Sequence, residues 1–310
     1  MGLKNKRLIL VKIETTYGTD ATPVVGTNAI LCGSLNINPL EGDKVQRNIV
    51  RPYLGNQQDI QVTAYVKVDF EVELSGSGAA GTAPQYGPLL KCCGFAETLT
   101  ASTKAEYLPV SSGFSSCSIY FQADGTKHVL MGAMGSVSFD VTSGQLPKMK
   151  FAFTGLLGTI TDNAIPSNPT YTTIVAVPVS TTNTTPNTLF GYTPILDSFS
   201  LDVANDVKYR NLVGDQRVLI TDRKPKGQIK IDAPTIATKD FFTLAKNATL
   251  GTFTLQHGQT AGNIIVLDSA TNGVGVSNIS YADRDNVDQL QMDLSFVPVS
   301  GNDDIKLTVK

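Results

Sequence analysis

The sequence contains no tryptophan and only two histidines among its 310 residues. His128 and His257 lie in strand or turn contexts, and neither has an acidic residue at the spacing of a catalytic pair. A histidine-dependent hydrolase also needs a nucleophile motif such as G-x-S-x-G, which the sequence lacks beside either histidine. Because no set of residues meets the requirements of a catalytic site, the sequence predicts a protein that is not an enzyme.

Charge is also scarce, since Asp, Glu, Lys and Arg make up 17% of the chain and the formal net charge is −2. This balance gives no basic surface with which to hold a polyanion. No window approaches the ~20 apolar residues of a transmembrane helix. The apolar run Leu8 to Ile13 is broken by Lys12 and is too short for a secretory signal. We therefore expect a protein that is soluble when made and has no membrane partner.

Cysteines are few and follow no C-x-x-C pattern, which argues against a disulfide framework or a zinc site. Reduced thiols, and assembly in a reducing cytoplasm, are the expected state of Cys32, Cys92, Cys93 and Cys117.

Two further motifs could suggest a cofactor or a metal. Gly76 to Gly81 fits G-x-G-x-x-G, but Thr82, Ala83 and Pro84 follow where a dinucleotide site needs a helix. We interpret this segment as a flexible assembly loop. The acidic cluster between Asp283 and Asp293 lacks the central glycine and twelfth-position glutamate of an EF-hand loop, which favours solvated turn charges. The sequence thus predicts neither cofactor nor metal.

An internal repeat is the main positive feature. The stretch Gly33 to Val50 returns in degraded form at Asp197 to Val213, and in both an alternating strand leads through a polar turn to Arg-Asn. Each copy continues with a strand, an Ala-Pro step, a short helix-like patch and closing strands. Self-similarity at this long period indicates two copies of one folding unit. We predict domains at 1–165 and 166–310, joined through a Thr/Asn/Pro-rich segment at about 159–193.

Alternation of apolar and polar residues predicts a mainly β fold. The clearest strand is Val62 to Leu74, with others at Arg7 to Glu14, Thr173 to Val179 and Ile305 to Val309. Hairpins are expected across Asp124-Gly125 and Ser143-Gly144. Short helices are expected at Pro88 to Gly94 and Lys239 to Asn247. Many strands and few helices predict two tandem β-sandwiches or barrels, each with a short flanking helix.

Basic residues cluster after the first strand of each copy. They are interleaved with acidic residues, which favours a solvated face, or one salt-bridged between subunits, over a nucleic-acid stripe, because such a stripe would carry one sign. Arg47-Asn48 and Arg210-Asn211 hold the same place in the two copies and suggest equivalent roles in an assembly.

Two segments of the first half resemble a known family. VKIETTYGTDATP lies near the start, and Val68 to Phe95 joins a strand, a small-residue loop ending in Ala-Pro-x-Tyr-Gly, and Leu-Leu-Lys-x-x-Gly. In these features the chain resembles the major tail proteins, or tail tube proteins, of long non-contractile-tailed bacteriophages. The resemblance covers the first half directly and the second only through the duplication.

The resemblance implies a β-sandwich or barrel related to the type VI secretion tube protein. It also implies rings that stack into a virion tail tube in the host cytoplasm, with tape-measure, tail terminator and distal tail proteins as partners. Double-stranded DNA would pass through the lumen to the host without specific binding. If rings hold six tube units, a duplicated chain predicts trimeric, pseudo-sixfold rings. Six-chain rings with one half as decoration are the alternative.

Contacts between subunits or rings are expected in the long loops of both copies. The candidate residues are Arg47, Asn48, Arg51, Tyr53, Gln57, Gly76, Gly78, Gly81, Tyr86, Arg210, Asn211, Arg217 and Arg223. The alternative function is a β-domain binding module of a virion or cell surface, such as a decoration or adhesin-like protein. That module would be a monomer or closed oligomer with exposed recognition loops.

Overall fold

The computed structural model describes Leu3 and residues 5–310. Strands hold 51% of the chain and helices 5%, so the predicted mainly β class is confirmed. The strands form open sheets that pack as a sandwich, and among the described residues no sheet closes into a barrel. None of the described helices has both the length and the hydropathy needed to cross a bilayer.

The first half contains eleven strands and two helices. In chain order they are β1 (Arg7–Ile13), α1 (Val25–Asn28), β2 (Ala29–Ile30), β3 (Gly33–Glu41), β4 (Lys44–Gln46), β5 (Asp59–Gln61), β6 (Tyr65–Glu73), α2 (Gly87–Cys92), β7 (Phe95–Thr100), β8 (Lys104–Pro109), β9 (Cys117–Ala123), β10 (Gly125–Thr142) and β11 (Lys148–Asn163). The strand beginning at Arg7, the helix after Tyr86 and both predicted hairpins are confirmed.

The second half has ten strands and one helix. They are β12 (Asn187–Leu189), β13 (Leu196–Asp202), β14 (Asn205–Leu212), β15 (Asp215–Arg223), β16 (Lys226–Asp232), α3 (Phe241–Lys246), β17 (Phe253–His257), β18 (Ile265–Ser269), β19 (Val274–Arg284), β20 (Val287–Phe296) and β21 (Ile305–Val309). The predicted second helix and last strand are confirmed. Asp240 caps α3 by accepting a hydrogen bond from the Thr243 amide.

One large antiparallel sheet runs through both halves. Its strand order is β19-β20-β16-β13-β10-β11-β6-β3, so β10 of the first half pairs directly with β13 of the second. The long β10 also pairs with β9, which carries β1 on its far side. A register shift at Met131 to Met134, with Gly132 at φ +56°, separates these two pairings of β10. A bulge of this kind bends a strand and increases its local twist.

A second, six-stranded sheet has the order β12-β17-β18-β21-β8-β7. Strand β21 pairs with β18 of its own half and with β8 of the first half, so this sheet also joins the two halves. The main core packs against both sheets as one continuous cluster of buried side chains from both halves. Phe199 on the large sheet stacks on Phe253 of the second, with ring centroids 4.5 Å apart.

A buried carboxylate fixes the loop that follows β1. Glu14 accepts hydrogen bonds from the Ser116 and Ser118 hydroxyls at 2.7 and 2.8 Å, and from the Gly18 and Gly132 amides at 2.8 and 2.7 Å. Four donors satisfy the oxygens of a carboxylate that is removed from water. They tie the loop to the bend in β10.

The strand predicted at Thr173 to Val179 is wrong, because no strand is found between Asn163 and Asn187 in the described structure. Pro166, Pro169, Pro178 and Pro186 remove amide donors from this stretch, and proline cannot take part fully in a ladder. Isolated hydrogen bonds hold it instead, such as the one from the Val179 amide to the Gln145 carbonyl.

Because one core spans both halves, we expect them to unfold in a single transition. Phe199→Ala should lower the free energy of unfolding by about 3–5 kcal/mol, since it leaves a cavity between the two sheets. Leu99→Ala, at a half-exposed position, should change it by no more than about 0.5 kcal/mol. Urea denaturation followed by far- and near-ultraviolet circular dichroism measures both. Two separate transitions would contradict the shared core.

Candidate assembly surfaces

Strands β4 and β5 form a hairpin arm, defined here as residues 44–61, which stands away from both sheets. Every residue of its two strands is exposed. Val50 and Leu54 in the tip are fully exposed. The other exposed apolar residues of the arm and its base are Val45, Ile49, Tyr53, Ile60 and Val62. Exposed apolar side chains grouped on one hairpin in this way are typical of an interaction surface.

The tip of the arm has internal order of its own. The Gln57 side chain accepts from the Ile49 amide at 2.9 Å and donates to the Ile49 carbonyl at 2.6 Å, which closes the tip. The Arg51 guanidinium lies 5.9 Å from the centroid of the Tyr53 ring. The structure thus brings five sequence-predicted residues together on one exposed tip: Arg47, Asn48, Arg51, Tyr53 and Gln57.

Strands β14 and β15 form a second hairpin at the matching place in the other half, where the sequence indicated only an excursion. Arg210, Asn211 and Arg217 lie on this hairpin and are exposed. Unlike the first arm, it packs on β10 and β11 of the first half. Val218 is fully buried there, and its amide donates to the Tyr17 hydroxyl at 2.5 Å.

Two further contacts fasten the β14–β15 hairpin to the first half. Tyr209 stacks on Tyr65 with ring centroids 4.8 Å apart. The Asn205 side chain donates to the carbonyls of Cys93 at 2.7 Å and Gly135 at 3.0 Å. Sequence reasoning missed Asn205, although it occupies the turn position that Gly42 holds in the first copy.

Arg223 differs from the other predicted arginines because it is only partly exposed and pairs with a buried carboxylate within the chain. Its guanidinium pairs with the Asp304 carboxylate at 3.1 Å and donates to the Val110 carbonyl at 3.0 Å. Arg217, by contrast, pairs with Asp215 on the exposed surface. Sequence alone could not separate the two, because the partner Asp304 is 81 residues away from Arg223.

The predicted loop residues Gly76, Gly78, Gly81 and Tyr86 are held by contacts inside the chain. The Gly78 amide donates to the Gly262 carbonyl at 2.8 Å, and a side chain at Gly76 would meet that carbonyl at 2.1 Å. The Tyr86 hydroxyl donates to the Ser75 carbonyl. Only glycine allows the close approach at Gly76. Whether this loop also touches a neighbour stays a prediction.

The large sheet turns a polar face away from the core, and charges of both signs alternate across it. Nine acidic side chains lie on this face: Glu41, Asp69, Glu71, Glu73, Asp140, Asp197, Asp202, Asp232 and Asp293. Six basic ones accompany them: Lys67, Lys148, Lys150, Lys226, Lys230 and Arg284. Pairs such as Lys148 with Glu71 at 3.1 Å leave the face slightly acidic.

The surroundings of the two histidines are structural. His257 donates from Nε2 to the Val177 carbonyl at 3.0 Å and accepts at Nδ1 from the Thr184 hydroxyl at 2.9 Å. Burial lowers the pKa of both His257 and His128 below the usual range, which favours neutral rings. Among the described residues, no group of His, Cys, Asp and Glu is arranged to hold a metal ion. All four cysteines are free.

The two arginine environments predict different effects of substitution. Arg223→Ala should lower the free energy of unfolding by about 3–5 kcal/mol, because it leaves Asp304 buried without its counter-charge. Arg217→Ala should leave the melting temperature nearly unchanged, because its ion pair is solvated. Thermal and urea denaturation of the dissociated chain measure both. Equal losses in the two variants would contradict the intrachain role of Arg223.

Comparison with known proteins identifies the family of the chain. A search of curated proteins finds no match. The model of the family described as phage tail tube protein matches residues 4–310, which is nearly the whole chain. Members of this family are structural components of the virion tail and are not enzymes. On this match, the chain belongs to the phage tail tube protein family.

Proposed function

We propose that this chain polymerises as stacked rings and so forms the tube of a long non-contractile phage tail, the conduit for genome delivery into the host. The observation that carries the proposal is the strand order of the large sheet. It reads β3-β6-β11-β10 in the first half and continues as β13-β16-β20-β19 in the second. Strands β13, β16, β20 and β19 of the second half thus hold the places that β3, β6, β11 and β10 hold in the first.

The second half repeats the strand order of the first along the sheet. The two outer edge strands of the sheet therefore correspond to the two strands that pair where the halves meet. Within the chain, β10 closes the first set and pairs antiparallel with β13, which opens the second. At the ends of the eight-strand arc, β19 and β3 each have only one partner among the described strands. We infer that β19 of one chain pairs with β3 of the next, as β10 pairs with β13. Such a head-to-tail contact generates a ring when the rotation closes.

The internal junction also predicts the register of the junction between chains. In the first half, Val72, Met149 and Phe139 lie opposite one another on three neighbouring strands. The corresponding row of residues in the second half is Ile231, Leu290 and Tyr281. Phe139 lies opposite Leu201, whose counterpart in the first copy is Ile37. Tyr281 should therefore lie opposite Ile37 of the next chain. Phe139 is 2% exposed whereas Tyr281 is 70% exposed, as expected of an edge that awaits its partner.

Two sets of strands per chain support an internal duplication, with copies at 1–165 and 166–310. Three chains would then supply six tube units and close a trimeric, pseudo-sixfold ring. We propose that the polar face of the large sheet lines the lumen. Its mixed, slightly acidic charge would let double-stranded DNA pass, because a basic wall would retain the phosphate backbone.

The exposed arm tip around Arg51 and Tyr53 is our candidate for contact between stacked rings. Tape-measure, tail terminator and distal tail proteins complete the proposed set of partners. Four free cysteines are compatible with assembly in the reducing host cytoplasm.

Electron microscopy of the purified protein at rising concentration tests the proposed function. We expect stacked rings or tubes, and light scattering of isolated rings should give the mass of three chains. Six-chain rings would keep the tube function and reject the trimer. If the chain stays monomeric even with tail-tip components added to start growth, the tube proposal fails and the surface binding module replaces it.

The edge pairing has its own test at Tyr281. Tyr281→Asp should prevent ring formation, because a charge on an edge strand blocks pairing with another chain. Tyr281→Phe keeps the apolar ring and should assemble as the unmodified protein does. Both variants should keep the circular dichroism spectrum of the parent, since the position is exposed. Normal tubes from Tyr281→Asp would refute the predicted junction.

A further inference from the structure

We propose that the β4–β5 arm of each chain docks on the second half of the neighbouring chain in the same ring. This inference rests on the proposed ring. It starts from the two hairpins, which hold the same place in the repeat. The arm connects β3 to β6, and the β14–β15 hairpin connects β13 to β16. Asp43 and Asp206 begin the two hairpins, and Arg-Asn follows four residues later in each.

The two hairpins differ in what covers them. The β14–β15 hairpin lies on the first half of its own chain, where Val218 is fully buried. In the arm, the pair that corresponds to Tyr209 and Val218 is Gln46 with Asp59, and both residues are exposed. Closure of the proposed ring would place the second half of the neighbouring chain beside each arm. That half would lie against the arm as the first half lies against the β14–β15 hairpin within one chain. The arm therefore meets its docking surface only when a neighbouring chain arrives.

The docking surface can be located by the same equivalence. Tyr65, which stacks on Tyr209, lies seven residues before Val72. Val72 corresponds to Ile231 of the second half, and the residue seven positions before Ile231 is Lys224. Lys224 is therefore the counterpart of Tyr65. Tyr209 corresponds to Gln46, which pairs with Asp59 in the arm. Lys224 of the neighbouring chain should therefore approach Gln46 and Asp59. The contact within the chain is the stack of Tyr65 on Tyr209, whereas the contact between chains would be an ion pair of Lys224 with Asp59.

A second point on that surface follows from the helix ends. Gly94 follows the end of α2 with φ +82° and lies beside Ile220 of the docked hairpin. Its counterpart is Ala248, which follows the end of α3 with φ +49°. Two residues further on, Leu250 is 43% exposed. Ile220 pairs with Val207 in its hairpin, and the corresponding pair in the arm is Lys44 with Gln61. Gln61 should therefore approach Ala248 and Leu250 of the neighbouring chain.

Cross-linking in assembled tubes tests this docking. The chain carries Gln46→Cys with Lys224→Cys, and the probe is a short bismaleimide linker. The four native thiols do not interfere, because three are fully buried and the single-cysteine variants control for Cys32. Tyr65→Cys with Tyr209→Cys, at the equivalent positions of the internal contact, should link within one chain. Asp59→Cys with Lys224→Cys replaces the first pair if that variant assembles poorly.

We expect a ladder of linked chains that ends at three, with no ladder from either single-cysteine variant. A ladder that continues past the number of chains in one ring, as counted by light scattering, would show that the arm reaches another ring, and this overturns the proposal. Intact tubes without a ladder, when the Tyr65/Tyr209 pair links normally, also overturn it and leave the tube function standing. Failure of the unmodified chain to form tubes with tail-tip components would instead reject the proposed function.

Discussion

The antiparallel pairing of β10 with β13 is the contact on which the rest of the structure depends. Five cross-strand pairs, from Ser138 with Asp202 to Thr142 with Ser198, fuse the two halves into one sheet. The pairing sets the β14–β15 hairpin against the first half, and it aligns Phe199 with the second sheet. It also leaves β3 and β19 at opposite ends of the arc, pointing in directions that suit each other. The proposed junction between chains would therefore repeat the backbone pairing that joins the two halves within one chain.

An open edge is a hazard before assembly, because unpaired amides and carbonyls recruit any available strand. Both edges of the arc carry features that restrict such pairing. Strand β3 contains Pro39 and two register shifts, and β19 has a bulge between Ser277 and Ser280. These irregularities limit flat, indiscriminate pairing while a partner with the matching register can still bind. The arm adds apolar surface that the proposed ring would bury.

Two carboxylates that are removed from water, Glu14 and Asp304, join distant segments of the chain. Glu14 ties the loop after β1 to the bend of β10 through four donors. Arg223 joins Asp304 near the end of the chain to the Val110 carbonyl of the first half. Removing one partner from such a site leaves an uncompensated charge, so these contacts favour one arrangement of the halves. The proposed ring would need that precision, because a small error in each chain would prevent its closure.

The sequence by itself determined the strands with clear alternation, as in Val66 to Val72, and the turn at Asp124-Gly125, since both depend on neighbours along the chain. It also indicated an excursion after the first strand of each copy, but not that each excursion is a hairpin. It could not separate Arg217 from Arg223, or exclude a strand at Thr173 to Val179, because burial and pairing depend on distant residues. The pairing of β10 with β13 could be learned only from the tertiary structure. Every strand offers the same backbone donors and acceptors, so the side-chain pattern does not say which strand is the partner.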